Sequence, residues 1–354
     1  MAQVYGGAFL TISAALARDV SHGMLNHGRR RSEDNETTAD SGAVEVPLYD
    51  EPLYTRAWAL QERILSAKIL IFGTNDLYWD CRNHEDGRKP LKAKETGRAG
   101  RLSSSRLPVS PSFRDWHLIV TEYSGRIMTF ESDKLPAVAG LAAVYQQATG
   151  DEYVAGLWRS SLIVNLLWKQ QYLLNCHQSS ISVPREYRAP SWSWASFDGN
   201  IEFALRGRPQ HFPEAEILGT YLDSIEELSV PIGQFLWIRG PLFEVNINND
   251  RVYVSDGELG AVWMDVRTTL LHEDQFEFKP NAWCVILATD QGERFGLILH
   301  RKKGVEDRSG SAPDPIFERI GYFITTTPRD QDFIPNKMSK FFLIAGMMVN
   351  RGGG

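Results

Sequence analysis

Cysteine is scarce in this chain: Cys81, Cys176 and Cys284 are the three present in 354 residues, and none lies near another. That excludes a disulfide framework and a CxxC metal knuckle, and it fits a reducing, cytoplasmic compartment. Positive charge is short as well. A formal net charge of -6 argues against nucleic acid as a specific partner, because backbone binding needs clustered Lys and Arg. No run approaches the roughly 18 unbroken apolar residues that a bilayer span needs, so no membrane span is expected. The opening "MAQVYGGAFLTISAALARD" imitates a signal peptide but has no basic start and is interrupted by Tyr5, Thr11 and Ser13, so secretion is not expected. The histidines form no HExxH or other paired spacing, so no metal is expected. There is also no P-loop, no GxGxxG after a strand and no nucleophile elbow, which leaves no motif-level case for a phosphate cradle or a serine hydrolase.

What is there is an ordinary globular composition, 43% apolar and 23% charged, at a length that supports two or three domains' worth of core. The tryptophans are numerous and point to deep packing, with each indole N–H needing an acceptor. Residues 4–16, "VYGGAFLTISAAL", predict a buried strand, or the end of a helix running into one. Residues 29–46 are polar with mixed charge and predict a disordered loop. In "DEPLYTRAWALQERIL" the residues Leu53, Ala57, Leu60, Ile64 and Leu65 recur at spacings of three and four. That is a helix with one buried face, and Pro52 suits its first turn. "KILIFG" and "DLYWDC" then read as short strands around the turn residues Thr74, Asn75 and Asp76.

Residues 83–112 are basic and rich in Gly, Ser and Pro. They predict a flexible surface loop, with binding of phosphate or an acidic partner as the other reading. Three helical patterns follow, "SFRDWHLIVTEYS", "DKLPAVAGLAAVYQQATG" and "YVAGLWRSSLIVNLLWKQ". Asp133 and Pro136 mark a start there and Gly150 a stop. "SWSWAS", residues 191–196, would as a strand put Trp192 and Trp194 on one face and the serines on the other. It is then either a packed strand, with Arg188 capping or pairing beside it, or a platform for stacking sugars or bases. From Ile201 onward short apolar runs alternate with Gly, Asp and Asn turns, an antiparallel β signature. The residues thus predict an α+β fold: an α/β layer over 1–82, a loop over 83–112, a helical segment over 113–198 ending in the SWSWAS strand, and an antiparallel β-rich region over 199–354 with a disordered tail.

Six blocks in order, "VYGGAFLTISAALARDVSHGM", "YTRAWALQERILSAKILIFGTNDLYWDC", "DWHLIVTEYSGRIMTFESDKLPAVAGLA", "DEYVAGLWRSSLIVNLLW", "YRAPSWSWASFDGNI" and "FERIGYF", span most of residues 1–325. Together they resemble the fungal heterokaryon incompatibility (HET) domain proteins. The resemblance implies a role in fungal non-self recognition and programmed cell death. Residues 1–82 would then be the C-terminal part of a HET domain, since the family's upstream Trp-Gly and Cys-Ile-x-Gln blocks have no counterpart here. The HET domain in turn resembles the TIR domain, which implies that the first layer is the remnant of a TIR-like, flavodoxin-like parallel sheet with an edge or apolar face left open. A truncated, inert fragment is one expectation that follows.

The sharpest functional signal is "WALQE". In catalytic TIR domains a glutamate follows a tryptophan by four positions, and here Glu62 follows Trp58 by four. Four residues is about one helical turn, so the ring can shield the carboxylate, raise its pKa and ready it to stabilise an oxocarbenium-like transition state. On that reading Glu62 is the catalytic acid of a NAD glycohydrolase and Trp58 and Arg63 help bind NAD. The competing reading places Trp58 in the core and either pairs Glu62 with Arg56, Arg63 or Lys68 or has it accept hydrogen bonds from the backbone. It makes the chain an interaction module that needs no cofactor and acts through a protein partner or self-association. This second reading is the leading expectation.

Overall fold

The computed structural model describes residues 2–24, 50–74, 77–81, 89–90, 111–171, 184, 187–205, 211–221, 235–248, 251–254, 257–264, 282–301, 315–325 and 338–344. The loop predicted over 29–46 and the C-terminal tail lie outside the described residues. The fold is α+β, and the chain divides into two compact units, Met1–Ile119 with Arg126–Gly150 and Val120–Gly125 with Asp151–Gly354. The segment 113–198 is therefore shared between the two units instead of standing as a region of its own.

The first unit holds α1 (Ala2–Gly7), β1 (Thr11–Ser13), a 3-10 turn (Pro52–Thr55), α2 (Ala57–Leu65), β2 (Lys68–Phe72), β3 (Leu77–Cys81) and β4 (Lys89–Pro90). The strands form one sheet in the order β1-β2-β3-β4. β1 runs parallel to β2, Thr11 opposite Ile69, and the other pairings are antiparallel. β2 and β3 fall where their patterns predict them. Lys89 and Pro90, expected in a flexible loop, instead pair with β3.

Residues 4–16 depart from the buried strand their composition suggests. They form a helix running into a strand, the other arrangement the pattern allowed, but α1 buries no residue and Phe9 is 83% exposed. A strand at a sheet edge has one neighbour, so β1 leaves Ile12 on an open face while Ser13 is buried. The apolar periodicity of α2 does bury one face, with Ala57, Leu60, Ile64 and Leu65 inside. The helix begins at Ala57 and not at Leu53, because Arg56 is extended (φ -84°, ψ 138°) and separates it from the 3-10 turn. Ala15, Tyr54, Ala59, Ile69 and Ile71 make the core beneath, with Leu53 and Tyr78 against it.

α3 (Phe113–Ser124) and α4 (Pro136–Thr149) are the two helices their patterns predict. Pro136 opens α4, and Gly150, left-handed at φ 71°, ends it. Inside the first unit α4 meets α2 at Gly140, whose N–H donates to Gln61 Oε1 at 2.6 Å.

The second unit opens with β5 (Tyr153–Val154) and β6 (Leu157–Trp158), then α5 (Leu162–Asn165) and β7 (Trp168–Gln170), which pairs with β8 (Ile201–Phe203). The third helical pattern is thus a hairpin, one helical turn and a strand. Ala155 and Gly156 take φ 48° and 94°, a turn that closes a hairpin and breaks a helix. "SWSWAS" is not a strand either, since it bends and closes with a 3-10 turn, Trp194–Ser196. The Ser193 hydroxyl accepts from Ala195 N at 3.0 Å and donates to Ala155 O at 2.6 Å, a local capture of the backbone that competes with extension.

The remaining strands are β9 (Phe212–Pro213), β10 (Glu216–Tyr221), β11 (Phe235–Asn248), β12 (Arg251–Val254), β13 (Gly257–Met264), β14 (Ala282–Asp290), β15 (Glu293–Arg301), β16 (Ile316–Thr325) and β17 (Met338–Ile344). Their pairing closes on itself. The path runs β11-β12-β13-β16-β15-β14, and β14 returns to β11 with Val285 opposite Leu242. The result is a six-stranded antiparallel barrel, with β17 joining β11 to β16 at one end. Alternation turns Phe243, Val245 and Ile247 inward, where they meet Val252, Leu259, Cys284, Ile286, Ile298 and Phe323. The barrel is filled by its own side chains.

Candidate functional site

α2 carries all three of the sequence-predicted site residues but does not bring them together. Trp58 and Glu62, four apart, lie along one side of the helix and are both half-buried. Trp58 is not in the core: its indole N–H donates to Asp133 Oδ2 at 3.0 Å, from the 3-10 turn Glu131–Lys134. Arg63, one position on and so about 100° around the helix, is 6% exposed, with its guanidinium carbon 5.5 Å from the centroid of the Tyr54 ring. It faces the interior and stands away from the Trp58–Glu62 side.

Glu62 is engaged by α1. The Tyr5 phenol and the Arg56 charge both stand near enough to its carboxylate to favour the ionised form. Partial burial outweighs both and holds the Glu62 carboxyl above the usual range. Tyr5 is pushed up in turn, by its own burial first and by the neighbouring carboxylate second. Of the cations proposed to pair with Glu62, Arg56 is the one that acts on it. Lys68 instead sets its ammonium 4.4 Å from the centroid of the Phe9 ring.

Sequence reasoning missed Tyr5, Asp133 and Glu51. Glu51 is 1% exposed and accepts from Thr74 N at 2.5 Å and Thr74 Oγ1 at 2.9 Å, tying the end of β2 to the start of the 3-10 turn. No local spacing announces any of these contacts, because each partner comes from a distant part of the chain.

In the second unit the tryptophans read as a stacking platform are interior: Trp192 and Trp194 are both 0% exposed. The Trp194 indole donates to Gly156 O at 2.8 Å and the Trp168 indole to Trp192 O at 2.9 Å. Arg188 holds the segment from outside, donating to Ala195 O, Phe197 O and the Asp198 carboxylate. Arg319 of β16 does so from inside, donating to Leu166 O and Trp168 O, both at 2.6 Å. The segment is a satisfied core with no ring face open for a ligand.

Among the described residues no group of three or more His, Cys, Asp or Glu is placed to hold a metal ion. Among them, too, no helix is long and apolar enough to cross a membrane. The chain has no significant match among protein-family models, curated proteins or solved structures.

Proposed function

We propose that this protein is an interaction module of the HET type, serving fungal non-self recognition and programmed cell death through a protein partner or through self-association. The observation that carries the reading is the commitment of the "WALQE" residues to contacts within the fold. Trp58 donates to Asp133, Arg63 is turned inward onto Tyr54, and Glu62 sits half-buried with Tyr5 and Arg56 near it. A nucleotide site would need these groups to converge on one space. The first unit meanwhile ends its sheet on a three-residue strand, with Phe9, Leu10 and Ile12 exposed beside or within it, the kind of edge on which partners dock.

A second reading, a NAD glycohydrolase with Glu62 as its acid, draws on the raised pKa of that half-buried carboxyl. One experiment separates the two. Purified protein is incubated with NAD and nicotinamide release is followed, and no turnover above buffer is expected. Turnover abolished by Glu62→Gln in a folded variant would replace the module reading with the catalytic one. Expression in a fungal host gives the positive test, since cell death that persists in the Glu62→Gln variant is what a module predicts. A host that grows normally while making the folded protein counts against a cell-death role.

A further inference from the structure

α4 is composed unlike α2 and α3. Those two carry Glu62, Arg63, Arg114, Asp115 and Glu122, whereas α4, "PAVAGLAAVYQQAT", has no charged residue in its fourteen positions. The nearest charges along the chain, Lys134 and Asp151, lie beyond its two ends. Its inner side is what a core needs, with Ala137, Val138, Leu141, Ala142 and Tyr145 buried. Its outer side, Pro136, Ala139, Ala143, Gln146 and Gln147, is exposed and falls within about 100° of arc around the helix, with Val144, 37% exposed, at the flank. A surface helix ordinarily meets water with charged side chains, and one without them all round belongs in an interior. α4 has water where its composition calls for a neighbour.

We infer that this face of α4 pairs with the same face of a second copy of the chain, the two helices running antiparallel about a two-fold axis near Ala143. Charge selects that occupant. A two-fold interface sets each residue against or near its own copy, so a charged face repels itself unless its signs are arranged to cross, and a neutral face fits itself as it stands. Alanine at 139 and 143 leaves no long side chain at the centre, so the helices can close to the roughly 8 Å between axes of the tightest packed pairs. Gln146 and Gln147 each bring both donors and an acceptor, so their amides can bond across the seam in either direction. Antiparallel pairing also sets each helix N-terminus beside the other's C-terminus, the favourable order of their dipoles.

One helix face of fourteen residues offers less than the roughly 800 Å² per partner of a standard interface, so the dimer is weak and forms as concentration rises. Such a dimer gives the module reading its self-association and the face that makes it, and its use in signalling rests on that reading. The two fail separately. A chain that stays monomeric removes the face and leaves the NAD and cell-death tests as they were, while turnover by Glu62 removes the module without dissolving a dimer.

Sedimentation equilibrium of the full chain, from micromolar to near-millimolar concentration, reads the association. The native protein should fit a monomer–dimer equilibrium. Ala143→Glu sets like charges against each other at the axis and should weaken the dimer by about a hundredfold. Glutamate is a good helix former and the position is exposed, so circular dichroism and the melting temperature in dilute solution should not change. Ala143→Lys should act in the same way, and an equimolar mixture of the two variants should recover a heterodimer at least as strong as the native pair. A native protein that is monomeric throughout the range would overturn the pairing. So would a dimer that Ala143→Glu leaves intact, since the contact would then lie on another surface. Variants that both dissociate and do not recover on mixing would overturn it too, by showing that Ala143 meets a different part of the second copy.

Discussion

Arg319 offers the most direct measurement of what holds the second unit together. Its side chain is 2% exposed. The guanidinium donates to Leu166 O and Trp168 O, each at 2.6 Å, and its carbon stands 3.5 Å from the centroid of the Trp168 ring. Replacing it with methionine keeps most of the volume and the apolar stem while removing the fork and the stack. Hydrogen bonds from a charged donor are worth about 1.5–3 kcal/mol each, and a desolvated cation–π contact about 2 kcal/mol. Against that gross loss stands the relief of no longer burying a charge, several kcal/mol after relaxation.

The loss exceeds the relief here because two carbonyls that the guanidinium satisfied are left inside with nothing in their place. The net expectation for Arg319→Met is about 2–4 kcal/mol of destabilisation, or roughly 5–15 °C in the melting temperature of a unit this size. Calorimetry on the full chain reads the shift. Hydrogen exchange locates it: α5, β7 and β16 should lose protection while the first unit keeps its own. Arg319→Lys retains the charge but can neither fork nor stack, so it should be no better than Met. A methionine variant that melts within about 1 °C of the native protein would refute the reasoning, by showing that desolvation cancels the bonds.

Three further expectations follow from the same geometry. Glu51→Ala strands the amide and hydroxyl of Thr74 and should cost about 2–4 kcal/mol in denaturant titrations, with the loosening seen at the end of β2. A Cβ on Gly296 would overlap the carbonyl oxygen of Val285 and the ring of Phe323 on the neighbouring strands, so Gly296→Ala should lower barrel stability by about 1–3 kcal/mol. Glu62 gives a pH signature: because its folded pKa is raised, the folded state binds more protons than the unfolded one between the two pKa values. Its contribution to stability is therefore fully present below the unfolded value near ~4.3 and is lost as pH rises through the folded one. Glu62→Gln removes that loss, so the melting temperature of the variant should gain on that of the native protein as pH rises from 4 to 7. A gap that stays constant with pH would show that Glu62 is not held above its ordinary range.

The parts of the fold that were legible in the sequence are those decided by neighbours along the chain. α2 announced itself because Ala57, Leu60, Ile64 and Leu65 must share a face to be buried, and β2 and β3 because turn residues separate two short apolar runs. α4 carried its own punctuation in Pro136 and Gly150. The errors came where a short-range polar contact overrode an apolar pattern. In "SWSWAS" the Ser193 hydroxyl takes the Ala195 amide and bends the chain. In "YVAGLW" the left-handed Ala155 and Gly156 turn a stretch whose apolar residues would also suit a helix, and Gly156 was the one signal available. Closure of the barrel could not be read at all, since the return of β14 to β11 is a pairing between segments that share no local feature. The same holds for the candidate site: the W-x-x-x-E spacing is visible, but what Glu62 does depends on Tyr5, which the sequence places in an unrelated element.

The two units also distribute their polar groups differently, and that difference indicates where conformational change belongs. In the second unit the buried donors reach backbone carbonyls of the same unit: the Trp168, Trp194 and Arg319 side chains all do so. Breaking any one of these costs a desolvated partner, so they move together or not at all. In the first unit α1 buries no residue and Phe9 is exposed, so the contacts of residues 2–10 lie where water can replace a lost partner. A functional rearrangement draws on the cheaper set. Phe9 and the residues of α1, and not the conspicuous tryptophans of residues 191–196, are therefore the positions where substitution should leave the folding of the protein unchanged.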